Sequence, residues 1–162
     1  MIFVTVGSQK FQFNRLLSEV KTLIDCQIVD KNEIFVQSGY CTKLLDSFAY
    51  EAFLDRDQFS SYIEQANLVI THGGTGSIIT ALKKNKKVIA VPRLKKFSEH
   101  VDDHQCQLLS VFKDKGYIEV FNEGESFVDC YQRCLSKNYN SFTSNNNRFV
   151  EDLGSYLYMI TR

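Results

Sequence analysis

The sequence predicts an α/β protein, a Rossmann-like parallel sheet with helices on both faces. Three observations predict it. Short apolar runs recur along the 162 residues, separated by segments of helical period. The runs are apolar throughout instead of alternating, as in strands covered on both faces. The first two stop at a glycine, as expected where a strand turns sharply into a loop and helix.

The elements follow in order. Ile2 to Val6 is β-branched and ends at Gly7, so it reads as the first strand. Leu16, Leu17, Val20, Leu23 and Ile24 then recur at helical spacing. Ile34 to Ser38 is a second strand, ending at Gly39, and the aromatic stretch Phe48 to Leu54 favours a third. Ser60 to Gln65 reads as a short helix, and Leu68 to Thr71 as a compact strand. A helix through Ile78, Ile79, Ala81 and Leu82 closes on Lys83, Lys84, Lys86 and Lys87, which suit the negative end of a helix dipole. Val88 to Val91 is the next strand, stopped by Pro92. A polar loop to Asp103 leads into a helix from about His104 to Lys113, then a strand at Tyr117 to Phe121 and a helix at Phe127 to Leu135. Three parts result: a ligand-binding domain over 1–137, a polar linker over 138–147 and a closing amphipathic helix over 148–162, packing on the domain or on a partner.

Composition narrows the function. Hydrophobic residues make up 44% of the chain, which is enough for a core. Nineteen basic residues offset nineteen acidic ones, so no net field draws the chain to nucleic acid. No apolar run reaches the roughly 20 residues of a membrane span. The N-terminus reads as a strand, not a signal peptide, so a cytoplasmic protein is expected. The five cysteines form no CxxC pair, which argues for reduced thiols. Cys130 and Cys134 are one helical turn apart and read either as half a metal site or as small apolar residues on a helix face.

In an open parallel sheet, ligands bind beyond the carboxyl ends of the strands. Three loops there are unusual: Gly7-Ser8-Gln9-Lys10, His72 to Ser77, and Glu99 to Gln105. The second holds Gly73, Gly74 and Gly76. Glycines let backbone approach a ligand closely, and the helix that follows offers free N–H groups, so the arrangement suits a diphosphate with Thr75 and Ser77 adding hydroxyls. The same residues also read as a tight turn with Ser77 as N-cap. A Walker A loop is excluded, because Gly76 is followed by Ser77-Ile78 and not by Lys. A nicotinamide fingerprint is excluded too, since the first strand is followed by Gly7 alone. His100 and His104 have zinc-protease spacing, but Val101 stands where that motif carries Glu. Asp102, Asp103, His104 and Gln105 read either as a sugar-binding cluster or as a solvated loop with Asp103 capping the helix. Arg93, Lys95 and Lys96 read as a solvated loop, or else as facing a phosphate or a partner surface.

The segments Ala66 to Ile78, Val91-Pro92-Arg93 and His100 to Gln105 resemble the C-terminal domain of glycosyltransferase family 28, and Phe3 to Ser8 fits the start of that domain. The resemblance implies the donor-binding half of a GT-B fold. It implies inverting transfer of a hexose, galactose or N-acetylglucosamine, from a UDP-sugar to a lipid-linked saccharide acceptor, with no cofactor and no essential metal. Single-domain members include the catalytic subunit of the eukaryotic dolichol-linked N-acetylglucosamine transferase and bacterial capsule and exopolysaccharide proteins. Glu99 to Gln105 looks most like the bacterial group. Such members pair with a membrane-anchored chain that supplies the acceptor half, which would bring this chain to the inner face of the membrane. An isolated copy could self-associate through the same face.

By the resemblance, Gly7, Ser8, His72, Gly73, Gly74, Thr75, Gly76 and Ser77 face the donor diphosphate, and Asp103, His104 and Gln105 face its sugar. Many members grip the ribose with a Glu where this chain has Thr80, which cannot clamp two hydroxyls as a carboxylate does. No residue of this chain stands out as the general base. A non-catalytic module that docks on and enhances a separate transferase is the alternative, and Thr80 and the closing helix suit it.

Overall fold

The computed structural model describes residues 1–101 and 104–143, the side chain of His104 excepted. The expected closing helix and the end of the linker lie outside these residues. Six strands are described: β1 (Ile2–Thr5), β2 (Ile34–Gln37), β3 (Ala49–Glu51), β4 (Leu68–His72), β5 (Lys87–Val91) and β6 (Glu119–Val120). They form one parallel sheet in the order β3-β2-β1-β4-β5-β6. The helices are α1 (Asn14–Asp25), α2 (Arg56–Gln65), α3 (Thr75–Lys83), α4 (His104–Asp114) and α5 (Phe127–Ser136). This is the doubly wound order, and its strand sequence reverses between β1 and β4.

Alternation along the strands feeds two cores. Ile2, Val4, Val36, Ile70, Ile89 and Val91 meet α1 and α5 on one face. Phe3, Val69, Val88 and Ala90 meet α2, α3 and α4 on the other. The helical spacing in α1 puts Leu16, Leu17, Val20 and Leu23 wholly inside. Trimming one of them to alanine should cost about 2–5 kcal/mol. Cys130 and Cys134 lie buried in the first core, and burial pushes their thiols up to about 12 and about 11.

Several elements differ from the sequence expectation. The strand expected over Phe48 to Leu54 shortens to β3, and the one over Tyr117 to Phe121 to β6. Helix α2 starts at Arg56, four residues before Ser60, because Asp55 and Gln58 form a reciprocal capping box. Lys86 and Lys87 do not serve the end of α3. Lys86 donates to the carbonyl of Glu64 in α2, and Lys87 to those of Cys134, Leu135 and Lys137 at the end of α5. The stretch expected as a linker is laid onto the domain as far as Phe142. Tyr139 donates to the buried Glu119 carboxylate, Asn140 bonds the Lys115 and Gly116 carbonyls, and Phe142 packs edge-on against Tyr117. No helix among the described residues is long and apolar enough to cross a membrane.

Candidate functional site

The switch point between β1 and β4 places two of the singled-out loops side by side. Thr5, the last residue of β1, is buried; its hydroxyl donates to Gln37 Oε1 at 2.6 Å and accepts from the Gly7 N–H at 3.2 Å. That bond draws the chain into a turn in which Gly7 has φ +79°, a conformation that side chains strain to adopt. The turn lays Gly7 on the imidazole of His72, the last residue of β4. A Cβ on Gly7 would stand 2.5 Å from the ring's Cε1 and 2.6 Å from Nε2. A Cβ on Gly74 would overlap the same ring. The histidine is therefore held between two glycines, one from each loop, and both must be glycine for it to fit.

Burial, first, and the nearby Arg93 charge, second, lower the His72 pKa to about 4; a hydrogen bond with the Thr5 backbone opposes them, and His100 adds to the lowering. His72 is thus neutral at pH 7 and brings no positive charge of its own to this edge.

Gly74 is the N-cap of α3 and has no side chain to give the helix. Among the described residues, the first-turn N–H groups of α3 accordingly have no side-chain acceptor, and the first turn itself holds no acidic residue. The expectation of Ser77 as N-cap is corrected, since Ser77 lies inside the first turn. Thr75 and Gly76 are exposed, and a Cβ on Gly76 would meet nothing within 4 Å. An open helix N-terminus with exposed hydroxyl and glycine suits an anion. Gly73 is buried beneath Gln105, whose Oε1 would lie 2.8 Å from a Cβ there.

Of the other candidates, Ser8 is exposed on the loop after β1, and Gln105 stands at the start of α4 with its Oε1 accepting from the Arg93 N–H at 3.2 Å. Asp103 and the side chain of His104 lie outside the described residues. Thr80 is on α3, and its hydroxyl donates back to the Gly76 carbonyl at 2.7 Å.

Arg93 overturns its sequence reading. It is wholly buried, with its guanidinium against the Phe13 ring and donating to backbone carbonyls. Glu99 is buried beside it, and its carboxylate is gripped twice by Arg15, at 2.8 and 3.0 Å, and by the Leu94 N–H. Arg93 follows an apolar strand and Pro92, but its partners and the Arg15 that grips Glu99 lie in distant segments, so the polar run after Pro92 read as solvated.

Fold and site together define a doubly wound parallel domain with a glycine-lined, uncapped helix N-terminus at its switch point. The chain belongs to the family of the glycosyltransferase family 28 C-terminal domain, which residues 1–154 match. It is 29% identical over 123 residues to the UDP-N-acetylglucosamine transferase subunit ALG13 of Homo sapiens, covering 72% of this chain and 10% of that protein. It is 33% identical over 94 residues to the subunit of the same name from Candida glabrata, covering 57% and 46%. The chain thus spans about a tenth of the human relative's length. Among solved structures, ALG13 in solution superposes with a TM-score of 0.56 at 20% identity, covering 94% of this chain and 93% of that one. The glycosyltransferase SnogD of Streptomyces nogalater superposes at 0.58 and 19% identity, covering 83% of this chain but 34% of that one. At these identities the superpositions speak for the fold: this chain is equivalent to one part of a GT-B transferase.

Proposed function

We propose that the chain is the donor-binding, catalytic subunit of an inverting hexosyltransferase, taking a UDP-sugar as donor and a lipid-linked saccharide as acceptor. The observation that carries this reading is the uncapped α3 N-terminus, set at the switch point beside Gly7 and His72. The donor diphosphate lies against Gly7, Ser8 and His72 to Ser77. The sugar faces Asp103, His104 and Gln105, and the nucleoside the side of Thr80. As the bond to the sugar breaks, charge develops on UDP, and the fixed N–H groups of α3 stabilise it without reorganising. Oriented backbone dipoles take the part a cation would otherwise play, so the reaction runs without a metal and survives chelation. The general base that deprotonates the acceptor hydroxyl comes from the opposite side of the cleft.

That opposite side belongs to a partner chain anchored in the membrane, which holds this subunit at the inner face. In support, Tyr40, Phe53, Phe97 and Val101 are 45%, 47%, 39% and 64% exposed. All four lie on loops beyond the carboxyl ends of strands, along the edge that carries the site. Capsule or exopolysaccharide synthesis is the setting, with galactose or N-acetylglucosamine as the hexose.

One observation favours a non-catalytic docking module instead: the Thr80 hydroxyl is committed to Gly76, which weakens any hold on ribose. Calorimetric titration with UDP, UDP-galactose and UDP-N-acetylglucosamine separates the two. The enzyme reading expects binding of UDP and a preference for one sugar, unchanged by EDTA. Absence of binding to all three favours the docking module.

A further inference from the structure

We propose that Arg93 is the positioning residue of this site: one buried guanidinium, together with its own backbone, sets the loops after β1 and β5 in register with the glycine loop after β4. The inference rests on the donor-site reading for its function, while the clamp itself stands on geometry.

The side chain grips the first loop at both ends. Nη2 donates to the Val6 carbonyl at 2.6 Å, one peptide before Gly7, and Nη1 donates to Phe11 at 3.0 Å and Gln12 at 3.4 Å. Nη1 also donates to the Glu99 carbonyl at 3.0 Å, which fixes the loop after β5. The Arg93 N–H donates to Gln105 Oε1, and the Gln105 side chain is seated on Gly73. All three loops singled out in the sequence therefore converge on a single residue. The Val6 bond matters most, because the orientation of that peptide fixes the turn by which Gly7 meets His72.

Stability alone does not account for this arrangement. Among the described residues, every hydrogen bond the guanidinium donates is accepted by a neutral carbonyl, while the nearby Glu99 carboxylate is spent on Arg15 and Leu94. Nε is buried with no hydrogen-bond partner among the described residues. A buried cation met in this way is costly, and an apolar residue of the same volume commonly serves stability as well or better. The planar fork, by contrast, reaches several carbonyls at fixed angles, which a lysine ammonium cannot do. The charge reaches the site as well, since it is one cause of the low His72 pKa, alongside burial and His100.

The test uses Arg93→Lys, which keeps the charge and loses the fork, and Arg93→Met, which loses both but keeps packing on Phe13. Val20→Ala, in the core of α1, serves as a comparator of general destabilisation. Hydrogen exchange on the unliganded chains reads the clamp, UDP calorimetry reads the site, and NMR titration reads His72. In Arg93→Lys, exchange over residues 7–12 rises about tenfold while β4 and α1 stay protected. UDP affinity in that variant falls about tenfold, a displaced-loop effect. The His72 pKa rises in Arg93→Met and stays low in Arg93→Lys. If the lysine variant fails to fold, the methionine variant carries the exchange and UDP arms alone. Exchange and affinity no different from Val20→Ala would overturn the proposal. A wild-type chain that binds no UDP overturns the donor-site reading instead, and the exchange arm still decides the clamp.

Discussion

Helices α2 and α3 both begin at the carboxyl edge of the sheet, and they begin in opposite ways. At α2, Asp55 accepts from the N–H groups of Asp57 and Gln58, the Gln58 side chain reaches back to the Asp55 N–H, and Asp57 adds a negative charge. At α3 the cap is a glycine, with no acidic residue in the first turn and, among the described residues, no side-chain cap. One N-terminus is satisfied by its own sequence; the other is left with donors to spare. Helix α5, capped by Ser126, follows α2. At the far edge of the sheet the pattern is again local satisfaction, with Lys86 and Lys87 filling the carbonyl ends of α2 and α5. A groove of about 380 Å³ lies there, yet its lysines are already engaged. Spare hydrogen-bonding capacity, not cavity size, distinguishes the edge proposed here for donor binding.

The contrast can be broken most sharply at Gly74. Gly74→Val drives a side chain into the His72 ring. It should abolish UDP binding in calorimetry and lower stability by about 1–3 kcal/mol in denaturant titration. A variant that bound UDP normally would remove the Gly7–His72–Gly74 arrangement from the site.

Acid comes next in size. His72 is held neutral with a pKa lowered to about 4, so between there and its ordinary value the unfolded chain binds more protons than the folded one. Stability therefore rises with pH through that window and is lost on acidification. The loss from this residue between pH 7 and 5 should be about 2 kcal/mol. Comparing wild type with His72→Gln by urea unfolding isolates it; an equal pH slope in both would contradict the assignment. Glu119 acts in the same sense in a lower window. Desolvation raises its carboxyl, but Arg133, Tyr139 and Lys137 together hold it low, so its contribution is present above the ordinary carboxylate range and is lost as pH falls from there through the lowered value.

The smallest effect is at the satisfied helix. Asp55→Ala should lower stability by about 1 kcal/mol and leave UDP binding unchanged. A matching loss of UDP affinity would show that the two N-termini are not the separate devices described here.

How far the sequence carries can be judged from these same residues. The parallel sheet was legible because strands buried on both faces must be apolar throughout, and runs such as Leu68 to Thr71 have no other use. The glycine loop was legible because three glycines in four residues have few structural uses. The start of α2 was missed because apolar periodicity begins late there, although Asp55 and Gln58 carried a capping signal. Tyr139 and Phe142 were hidden in a polar stretch, where aromatic residues were the only hint of packing. Arg93 could not be read locally at all: its partners Val6 and Phe11 lie more than eighty residues away, and strand order alone brings them together. The same holds for Gly7 and His72, whose meeting depends on β1 lying beside β4.

The most direct test of the central claim uses Gly76, where the fold makes no demand. A Cβ there meets open space, so Gly76→Val keeps the α3 N-terminus in place but stands a branched side chain where an anion would approach. Calorimetric titration of wild type and Gly76→Val with UDP, with thermal melting alongside, should show affinity falling more than about tenfold at nearly unchanged melting temperature. Equal UDP affinity in the two proteins would contradict the claim that the open end of α3 is where this protein binds its donor.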